Sequence, residues 1–569
     1  MPGAAAPQWD REVDLLILGA GAAGMATGLV ASLEGLKPLI LEKSQHVGGT
    51  AATSAGTIWI PGNQQSLDAG YHDNVREAEA YLDKLVGSPD TAGLRRAFLE
   101  TGPRVVDYLR QKTDVHFVPS GKHPDYRDLA GAAVLGRTLA PAVFDAGVLG
   151  QDFERVRPPI PEFMVLGGMM AGKDDIPRLI GRFRSVGNFV YAGRLFWRYL
   201  MDRLRFSRGA RVVMGNALVS RLFYSIKKQG VPVMFGARVT ALVHAGEAVV
   251  GAVVDTGAES LRVRALRGVV IATGGFGHSD KLRKEFMPYP TPPYSVAAAD
   301  NTGDGIELGR RYGGQAPAGG AGEAAFWTPV SVTRRPGGVM GVYPHLSLDR
   351  AKPGLIAVNG AGQRFVNEAD SYHDFVIGMY RSHRSAPTIP AYLICEKGFV
   401  AKYGLGNIHP GTRNLARFER EAYVTVADTL AELAGRIGLD AAALQATLVR
   451  YNGFAREGRD LDFGKGETEL NRFNGDARVK PNPCLAEIKT GPFVALAVYP
   501  AEIGTSAGLA TDPDGRVLNA QGQPIAGLYA CGADMASVMA GTYPGPGTTL
   551  GPALTFGYRV AMHAAGKTA

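Results

Sequence analysis

A loop near the C-terminus of the 569-residue chain places one hydroxyl group in a stiff setting that exposes backbone. The loop reads Gly-Thr-Tyr-Pro-Gly-Pro-Gly over residues 541–547. Prolines fix φ and remove N–H donors, whereas glycines let a bound group approach the backbone closely. The Tyr543 hydroxyl and the Gly547 amide could therefore converge on one hydrogen-bond acceptor. Taken alone, the loop is better explained as a tight turn with a surface tyrosine, so the rest of the chain must decide.

A second candidate site lies near the N-terminus, where glycines follow a strand of the buried type. Residues 13–18 form a nearly continuous apolar run, and a GxGxxG pattern follows it and opens a helix. In that pattern Gly19 permits the turn, Gly21 lets amides reach a pyrophosphate at the positive end of the helix, and Gly24 allows close packing. The next strand ends at Glu42, which is placed to accept hydrogen bonds from a ribose diol. The complete pattern predicts a dinucleotide site and not a ligand-free turn.

Further small-residue runs bear on which dinucleotide is bound, because NAD and FAD share this fingerprint. The runs occupy residues 48–56, 269–275 and 527–534. Small residues let backbone lie against a flat ring. Their spread along the chain fits a cofactor that spans a whole lobe, with its adenosine end near Glu42 and its ring near residues 543–554.

With these features the chain resembles the FAD-dependent oxidoreductases of the fumarate reductase and 3-ketosteroid dehydrogenase superfamily, most strongly at its two ends. The resemblance implies noncovalently bound FAD and the α/β fold class, with a Rossmann-like FAD-binding domain and an inserted α+β catalytic cap domain. In such proteins the backbone of Val239 would hold the adenine, and residues 301–305 look like the family's TGDG turn. The cofactor-binding residues expected from the patterns and the resemblance are Gly19, Gly21, Ala22, Gly24, Glu42, Lys43, Gly49, Thr50, Ser54, Gly56, Val239, Ala272, Thr273, Gly274, Asp304, Gly532, Asp534 and Leu554.

Two branches of that superfamily differ in the loop that faces the flavin. Fumarate reductase-type enzymes clamp a dicarboxylate with Arg and His, and residues 541–547 contain neither. The Tyr-Pro-Gly-Pro-Gly sequence looks like the 3-ketosteroid dehydrogenase branch, whose substrate is apolar and carries one ketone. Tyr126 resembles the tyrosine of that branch's DYxP-like segment, and Tyr372 that of its RFxNExxxY segment. Each is better explained alone as a structural tyrosine, but together with Tyr543 they favour a functional role.

The chemistry that this resemblance implies is the removal of two hydrogens from the carbons beside a ketone, at C1 and C2 of a 3-ketosteroid. Tyr543 and the Gly547 amide would hydrogen-bond the C3 oxygen as negative charge develops on it. Tyr372 would take the C2 proton, and FAD would accept the C1 hydride. Free tyrosine has a pKa of about 10 and is a poor base at neutral pH. Tyr126 would assist by hydrogen-bonding Tyr372 and stabilising its phenolate.

Several positions depart from the branch's pattern and keep other activities open. They include Arg127 in place of a second aromatic residue, Asp370 and Ser371 in place of an apolar or Pro-containing pair, and Ala533 in place of Asn. These departures permit Δ4-(5α)-3-ketosteroid dehydrogenation or a fumarate reductase-like enoate reduction. An FAD-dependent RNA-modifying or RNA-binding protein is an alternative from another class, because the isoelectric point is near 9.2. No nucleic-acid partner is expected, since the basic residues alternate with aliphatic ones.

Positive charge is concentrated in residues 173–228, which hold 13 Lys or Arg residues against three acids and also carry many aromatic side chains. Three readings fit this mixture: a solvated helix face with aromatics in the core, a membrane-surface patch, and a nucleic-acid patch. For a steroid dehydrogenase, a membrane patch would help an apolar steroid substrate to arrive and electrons to leave to a quinone or another acceptor. Peripheral association with the inner membrane face through this segment is therefore a hypothesis.

Composition limits the remaining possibilities. The three cysteines are far apart and show no metal or disulfide spacing, and the histidines show no metal motif, so no metal is expected. Residues 1–14 lack the charged and apolar regions of a signal peptide, and no window holds 18 uncharged apolar residues, so a cytoplasmic location is expected.

The length and the strand pattern predict two or more lobes. We expect the FAD-binding domain in residues 1–285, with the basic aromatic insert at about 151–230. The catalytic cap domain is expected in residues 286–490, and residues 491–569 should return to complete the FAD-binding domain. Both boundaries fall in Pro- and Gly-rich chain. The active site should lie between the lobes.

Overall fold

The structure is a computed structural model that describes residues 8–90, 92–317, 323–335, 338–346 and 349–569. Its strands, in chain order, are β1 (Arg11–Leu18), β2 (Pro38–Glu42), β3 (Ile58–Trp59), β4 (Phe117–Pro119), β5 (Thr138–Pro141), β6 (Phe144–Asp145), β7 (Met164–Val165), β8 (Met169–Met170), β9 (Arg211–Val212), β10 (Val233–Phe235), β11 (Arg238–Ala245), β12 (Ala248–Asp255), β13 (Ser260–Ile271), β14 (Ala325–Arg334), β15 (Met340–Pro344), β16 (Leu355–Val358), β17 (Ala391–Glu396), β18 (Thr425–Ala427), β19 (Phe493–Thr505), β20 (Arg516–Leu518) and β21 (Pro524–Ala530).

The α-helices connect and cover these strands. In chain order they are α1 (Ala22–Leu33), α2 (Gly49–Thr53), α3 (Gln64–Asp68), α4 (Val75–Val86), α5 (Leu94–Lys112), α6 (Asp175–Ile180), α7 (Val186–Arg203), α8 (Met214–Lys228), α9 (Asp280–Phe286), α10 (Asp304–Arg311), α11 (Tyr372–His383), α12 (Lys397–Tyr403), α13 (Ala416–Arg420), α14 (Leu430–Ile437), α15 (Ala441–Glu457), α16 (Glu469–Asn474) and α17 (Leu550–Ala564).

The largest sheet carries the N-terminal fingerprint. Its order is β10-β2-β1-β13-β12-β11, with β21 beside the C-terminal part of β13 and β20 beside β21. β1 runs parallel to β2 and β13, and β13 runs parallel to β21. Residues 15–18 of β1 and all of β2 are buried, as expected for central parallel strands covered on both faces. The carboxyl ends of these four strands therefore meet at one sheet edge, where the glycine-rich turns follow.

Helices α1 and α17 pack against each other beside this sheet, although they lie at opposite ends of the chain. A Cβ at Gly557 would lie 2.9 Å from Thr27 Oγ1 and 3.0 Å from the Ala23 carbonyl oxygen, so glycine allows this close approach. Pro552 lies in the first turn of α17, where a missing N–H removes no intrahelical hydrogen bond. The contact brings the C-terminal loop to the dinucleotide fingerprint.

A second sheet has the order β15-β14-β19-β17-β16, with β18 also paired to β19, and its pairings are antiparallel. Helix α11 packs on β14 over a separate core that includes Trp327, Leu393 and Val498. The last residues of β19, 503–505, reach the cavity described below. The predicted α/β fold class is confirmed, whereas the domain boundaries at residues 285 and 490 stay a prediction.

The basic segment 173–228 is divided between surface and core. Helix α8 is mostly buried, and the buried Arg221 donates to the carbonyl oxygens of residues 114, 142 and 143. Arg208 is also buried and donates to Asn216 and to a carbonyl. Helix α7, in contrast, has a single buried residue, Tyr199. Among the described residues, no helix is long and apolar enough to cross a membrane.

Candidate active site

A cavity of about 1840 Å³ extends from the carboxyl edge of the large sheet to the end of β19. Most of the predicted site residues line it: Gly19, Gly21, Ala22, Glu42, Lys43, Gly49, Thr50, Ser54, Gly56, Tyr126, Val239, Ala272, Thr273, Gly274, Asp304, Tyr372, Gly532, Tyr543 and Gly547. Three others, Gly24, Asp534 and Leu554, do not line it. Their part in cofactor binding stays a prediction.

The first turn of the cavity wall requires glycine for steric reasons. Gly19 has φ of +107°, and a Cβ there would lie 2.3 Å from the carbonyl oxygen of Ala272. A Cβ at Gly24 would lie 2.0 Å from the Gly19 carbonyl oxygen, so this glycine packs α1 against the turn. Helix α1 begins at Ala22, and its first residues line the cavity with unpaired amides. The positive end of a helix is suited to a pyrophosphate.

Glu42 is held at the cavity wall by two backbone amides. Its Oε2 accepts from Ala20 N at 2.9 Å, and its Oε1 accepts from Ser44 N at 2.9 Å. A carboxylate has about four lone-pair sites, so acceptor capacity remains for a ribose diol. The side chain that ends β2 is therefore fixed in position before any ligand binds.

Lys43 and Asp304 form an ion pair in the same part of the wall. Lys43 Nζ lies 3.1 Å from Asp304 Oδ2 and donates to Thr302 Oγ1 at 2.6 Å. Burial alone would raise the pKa of Asp304, but the hydrogen bond from Thr302 and the charge of Lys43 hold it below its ordinary value. Arg238 lies 3.5 Å from Asp304, which places Val239 of β11 next to this pair.

Asp534 organises another glycine turn from behind. The buried carboxylate accepts from Thr273 Oγ1 at 3.0 Å and from the amide of Gly274 at 2.9 Å. Burial raises the pKa of Asp534, and these hydrogen bonds counteract that effect. Asp534 therefore fixes the turn after β13. The neighbouring residues Gly532, Ala533 and Met535 line the cavity.

Arg157 was missed by the sequence analysis, although it lines the cavity. It pairs with Asp300, and its buried Nε has no acceptor among the described residues. Nothing in the local sequence marks this arginine. An anionic group in the cavity would suit such a donor. Amides at a helix end, a fixed carboxylate, an arginine and glycine-lined turns form a donor and acceptor set that fits FAD.

The three predicted tyrosines meet at one point of the cavity wall. The Tyr126 hydroxyl donates to the Tyr372 oxygen at 3.1 Å, and Tyr372 and Tyr543 are also hydrogen-bonded. The Tyr126 ring stacks on the Tyr543 ring with centroids 5.5 Å apart, and the Tyr372 ring meets the Tyr543 ring edge-on at 5.2 Å. Sequence positions separated by hundreds of residues therefore form one cluster.

Backbone hydrogen bonds hold Tyr126 and the C-terminal loop together. The Tyr126 amide and the Tyr81 hydroxyl both donate to the carbonyl oxygen of Pro544, each at 2.8 Å. The preceding Asp125 accepts from Trp59 Nε1 at 2.8 Å and from Arg137 at 2.6 Å. These groups are buried, so the cluster rests on a rigid polar network.

Gly547 occupies a position that admits no side chain. Its φ is +103°, and a Cβ would lie 2.4 Å from the carbonyl carbon of Ile58. Its carbonyl oxygen accepts from Trp59 N at 3.2 Å, whereas its N–H has no acceptor among the described residues. Gly547 and Tyr543 line the same cavity, so convergence of the free amide and the phenol on one bound oxygen stays a prediction.

Burial dominates the electrostatics of the cluster. It raises the pKa of Tyr126, Tyr372 and Tyr543 well above the ordinary value of tyrosine. The charge of the buried Arg350 opposes this effect at Tyr126 and Tyr372. Arg350 is held by the carbonyl oxygens of residues 345, 346, 368 and 370. This arginine, which carries no sequence signal, is a fixed positive charge behind the tyrosine pair.

Two further residues near Tyr543 also escaped the sequence analysis. Phe326 of β14 lines the cavity and meets the Tyr543 ring edge-on, with centroids 5.4 Å apart. His373 lies 5.8 Å from the same ring, and its Nδ1 accepts from Trp327 N. Burial lowers the pKa of His373 to about 4, so it is neutral at pH 7. Its place directly after Tyr372 is the only local signal for it.

The sheet, the glycine turns and the cavity define a dinucleotide-binding oxidoreductase that uses a flavin. The family assignment agrees, since the FAD binding domain model matches residues 14–550. The chain belongs to this FAD-binding family. FAD is therefore its cofactor, as predicted, and the predicted resemblance is confirmed by the relatives described next.

Three relatives cover nearly the whole chain. The chain is 38% identical over 549 residues to the 4-oxocyclohex-2-ene-1-carboxylate 5-dehydrogenase of Sinomonas cyclohexanicum, covering 96% of this chain and 92% of the relative. It is 35% identical to the 3-oxosteroid 1-dehydrogenase of Mycolicibacterium smegmatis, covering 98% of each. The crystal structure of 3-ketosteroid Δ1-dehydrogenase from Sterolibacterium denitrificans with 1,4-androstadiene-3,17-dione matches with a TM-score of 0.90 at 35% identity, covering 98% of this chain and 100% of that chain.

Proposed function

We propose that the protein desaturates a ring beside a ketone, and that its substrate is a 3-ketosteroid oxidised at C1–C2. The observation that carries this proposal is the meeting of Tyr126, Tyr372 and Tyr543 on the FAD cavity, which Gly547 also lines. The two steroid dehydrogenases that it resembles, at 35% identity over nearly full length, support the substrate class.

Tyr543 and Gly547 polarise the ketone. The phenol and the free amide line the same cavity, and in this proposal both donate to the C3 oxygen. Their hydrogen bonds strengthen as negative charge develops on that oxygen, because the groups are fixed in a largely dry site. The φ of +103° at Gly547 makes this donor part of the backbone, so it cannot rotate away.

Tyr372 takes the C2 proton. It is the first residue of α11, and the helix start is capped by Ser371, whose Oγ accepts from the Asp374 amide. The hydroxyl of Tyr126 donates to the Tyr372 oxygen and so stabilises the phenolate. The charge of Arg350 acts in the same direction against the effect of burial. Bound FAD supplies the acceptor for the C1 hydride.

Substitution of the tyrosines in the FAD-loaded protein tests these roles. We expect Tyr372→Phe and Tyr543→Phe to retain FAD but to lose substrate-dependent bleaching of it under anaerobic conditions. Tyr380→Phe is the matched control, because Tyr380 lies on the same helix and does not line the cavity. Full bleaching rates in both active-site variants would end the assignment of roles.

A smaller ring ketone that carries a carboxylate is a second candidate substrate. It is favoured by the 38% identity to a dehydrogenase of 4-oxocyclohex-2-ene-1-carboxylate. The ketone chemistry at Tyr543 and Tyr372 would be the same. Anaerobic bleaching by a Δ4-3-ketosteroid, by 4-oxocyclohexanecarboxylate, by succinate and by tRNA separates the two candidates from fumarate reductase-like and RNA-directed alternatives. Product analysis then separates Δ1 from Δ4 desaturation.

We also propose that residues 176–204 rest on an anionic phospholipid surface. Large apolar side chains are exposed there, including Phe183 at 79%, Val186 at 81% and Trp197 at 66%. Arginines interleave with them at positions 178, 182, 184, 194, 198 and 203. An apolar surface mixed with cations suits the interface of an anionic bilayer.

The position of this surface relates it to catalysis. Phe183, Phe189 and Phe196 also line the cavity, so an apolar substrate could pass from the lipid surface to the site. Reduced FAD must pass its electrons on, and a quinone in the same membrane is the proposed acceptor. Sedimentation with anionic and zwitterionic liposomes tests the contact. We expect binding to anionic vesicles only, and loss of binding in Phe183→Ser/Trp197→Ser; an intact protein that stays unbound refutes it.

A further inference from the structure

A group of cations lines the cavity on the cap side, away from the FAD turns. Lys352, Lys402 and Arg478 contribute to this wall, which we call the cationic wall. The acid that neutralises part of it is Asp476, which lies 3.3 Å from Lys402 and 2.9 Å from Arg478. Three cations therefore face one carboxylate, and the wall keeps a positive excess that no predicted role explains.

Lys352 is the most constrained member of the cationic wall. Its Nζ donates to the carbonyl oxygens of Asn474 and Gly475 at 2.6 and 2.8 Å. Among the described residues, no carboxylate lies within ion-pair distance of it. Burial lowers the pKa of Lys352, which shows that its charge is partly removed from water. An ammonium has three donors, so one remains after both carbonyls are satisfied.

Asp349, an acid that also lines the cavity, is already committed elsewhere. Asp349 lies 2.6 Å from His345 Nδ1 and accepts from the Gly406 amide at 3.0 Å. His345 in turn bonds Ser331, so this group forms a closed buried network. Asp349 therefore does not neutralise Lys352.

Packing connects the cationic wall to the tyrosine cluster. A small cavity of about 30 Å³ is lined by Tyr126 and Tyr372 on one side and by Leu346 and Asn474 on another. The Asn474 carbonyl is one of the two acceptors of Lys352. Asn474 therefore links the Lys352 ammonium to the small cavity that Tyr126 and Tyr372 also line. Tyr543 and the cationic wall line the same large cavity, so one substrate molecule could contact both.

We propose that Lys352, supported by Lys402 and Arg478, binds a carboxylate that the substrate carries on the part of its skeleton remote from the ketone. This inference rests on the proposed ketone dehydrogenation. A carboxylate would accept a hydrogen bond from the free donor of Lys352 and compensate its positive charge. Because that charge is partly removed from water, such a charge-assisted hydrogen bond would be strong. The carboxylate could belong to a short ring acid or to the side chain of a steroid, and the test separates the two.

The experiment compares matched acid and methyl ester substrates with the FAD-loaded protein. One pair is 4-oxocyclohexanecarboxylate and its methyl ester, and the other is a Δ4-3-ketosteroid whose C17 side chain ends in a carboxylate, with its methyl ester. The readout is the ratio of kcat/KM for acid over ester within each pair. The pair with a ratio above one identifies the source of the carboxylate. We expect that ratio to fall as salt is added, because screening weakens the attraction of the exposed Lys402 and Arg478.

Substitution at Lys352 then tests whether this side chain causes the preference for the acid over the ester. We expect Lys352→Met to lower the acid to ester ratio about tenfold, the scale of a charged hydrogen bond. Lys352→Arg should restore most of it. Lys397→Met is the control, because Lys397 lies in α12 and does not line the cavity. This substitution should leave the acid to ester ratio unchanged. If Lys352→Met fails to fold, Lys402→Gln/Arg478→Gln at exposed positions should still lower the ratio about threefold.

The outcomes keep the two proposals distinguishable. The carboxylate site is overturned if the wild-type ratio of kcat/KM for acid over ester is near one in both pairs, or if this ratio is unchanged in Lys352→Met. In either case, oxidation of the methyl esters still supports the dehydrogenase activity. Wild-type protein that oxidises none of the four ketones, although it binds FAD, overturns the dehydrogenase itself. A ratio that falls equally in Lys397→Met also contradicts a role for Lys352.

Discussion

Removal of the Tyr126 hydroxyl is the most informative single perturbation of the tyrosine cluster. Tyr126→Phe keeps the ring that stacks on Tyr543 at 5.5 Å and deletes only the donor that lies 3.1 Å from the Tyr372 oxygen. A hydrogen bond to a charged acceptor contributes about 1.5 to 3 kcal/mol. Its loss should therefore slow proton removal by about tenfold to a hundredfold at neutral pH.

The pH dependence has a definite sign. Only the phenolate of Tyr372 can take a proton, so the rate rises with pH as that phenolate forms. Burial raises the pKa of Tyr372. The Tyr126 hydroxyl donates to the Tyr372 oxygen, and a donor stabilises a phenolate, so we expect removal of this hydroxyl to raise the pKa of Tyr372 further. The rising limb of the rate profile should therefore move to higher pH in Tyr126→Phe, and the rate should recover in alkaline buffer.

Anaerobic stopped-flow bleaching of FAD across neutral and alkaline pH measures this effect in a single turnover. Tyr380→Phe on the same helix as Tyr372 controls for the loss of a half-buried tyrosine hydroxyl, which bonds Thr291. An unchanged profile would refute the role of Tyr126. A rate that falls equally at every pH would show that Tyr126 only positions Tyr372, which contradicts the electrostatic reasoning.

Three further substitutions test the parts that support the site. Gly19→Ala should destabilise the fold by about 2 to 4 kcal/mol and prevent FAD retention, because its Cβ would lie 2.3 Å from the Ala272 oxygen at φ of +107°; urea unfolding and flavin content measure this. Asp125→Asn should cost about 3 kcal/mol, since it leaves the buried Arg137 with one fewer carboxylate; urea midpoints check it. His373, with a pKa lowered to about 4, binds fewer protons in the native than in the unfolded state, so stability should fall as pH drops from 6.5 to 4. His373→Gln should flatten that slope in urea titrations against pH.

Local patterns predicted the dinucleotide end of the site well, because its requirements are local. Gly19, Gly21 and Glu42 follow consecutive elements of one βαβ unit, and their spacing reflects a backbone geometry that few other residues allow. Asp534 was assigned to the cofactor from the small-residue run at 527–534, and in the structure its carboxylate accepts from Thr273 and Gly274. A sequence pattern shows that a turn needs support without showing which side faces the ligand.

The tyrosine cluster was predicted from resemblance, whereas its supports were not predicted. Tyr126, Tyr372 and Tyr543 stand in recognisable segments, so their convergence could be expected. Phe326 reaches the cluster from β14 of the second sheet, and Arg350 reaches it from a loop that carbonyl oxygens hold in place. Neither stands in a motif, so no spacing in the sequence could indicate them.

In the basic segment, net charge alone does not predict which arginines are exposed. Its net charge suggested one surface patch over residues 173–228, but Arg208 and Arg221 are buried and bonded to carbonyl oxygens. The exposed large apolar side chains are confined to α6, α7 and their flanks, and Lys227 and Lys228 are exposed at the end of α8. Arginines that hold backbone in the core and arginines that face solvent have the same sequence signature, so only the packing separates them.

Product analysis after an anaerobic reaction with a Δ4-3-ketosteroid tests the central claim most directly. Wild-type protein loaded with FAD should bleach its flavin and release one equivalent of the 1,4-diene, and Tyr372→Phe should retain FAD and release none. Bound FAD that stays oxidised in the presence of the bound ketone, or a diene formed equally well by Tyr372→Phe, would contradict the assignment of Tyr372 as the base beside the flavin.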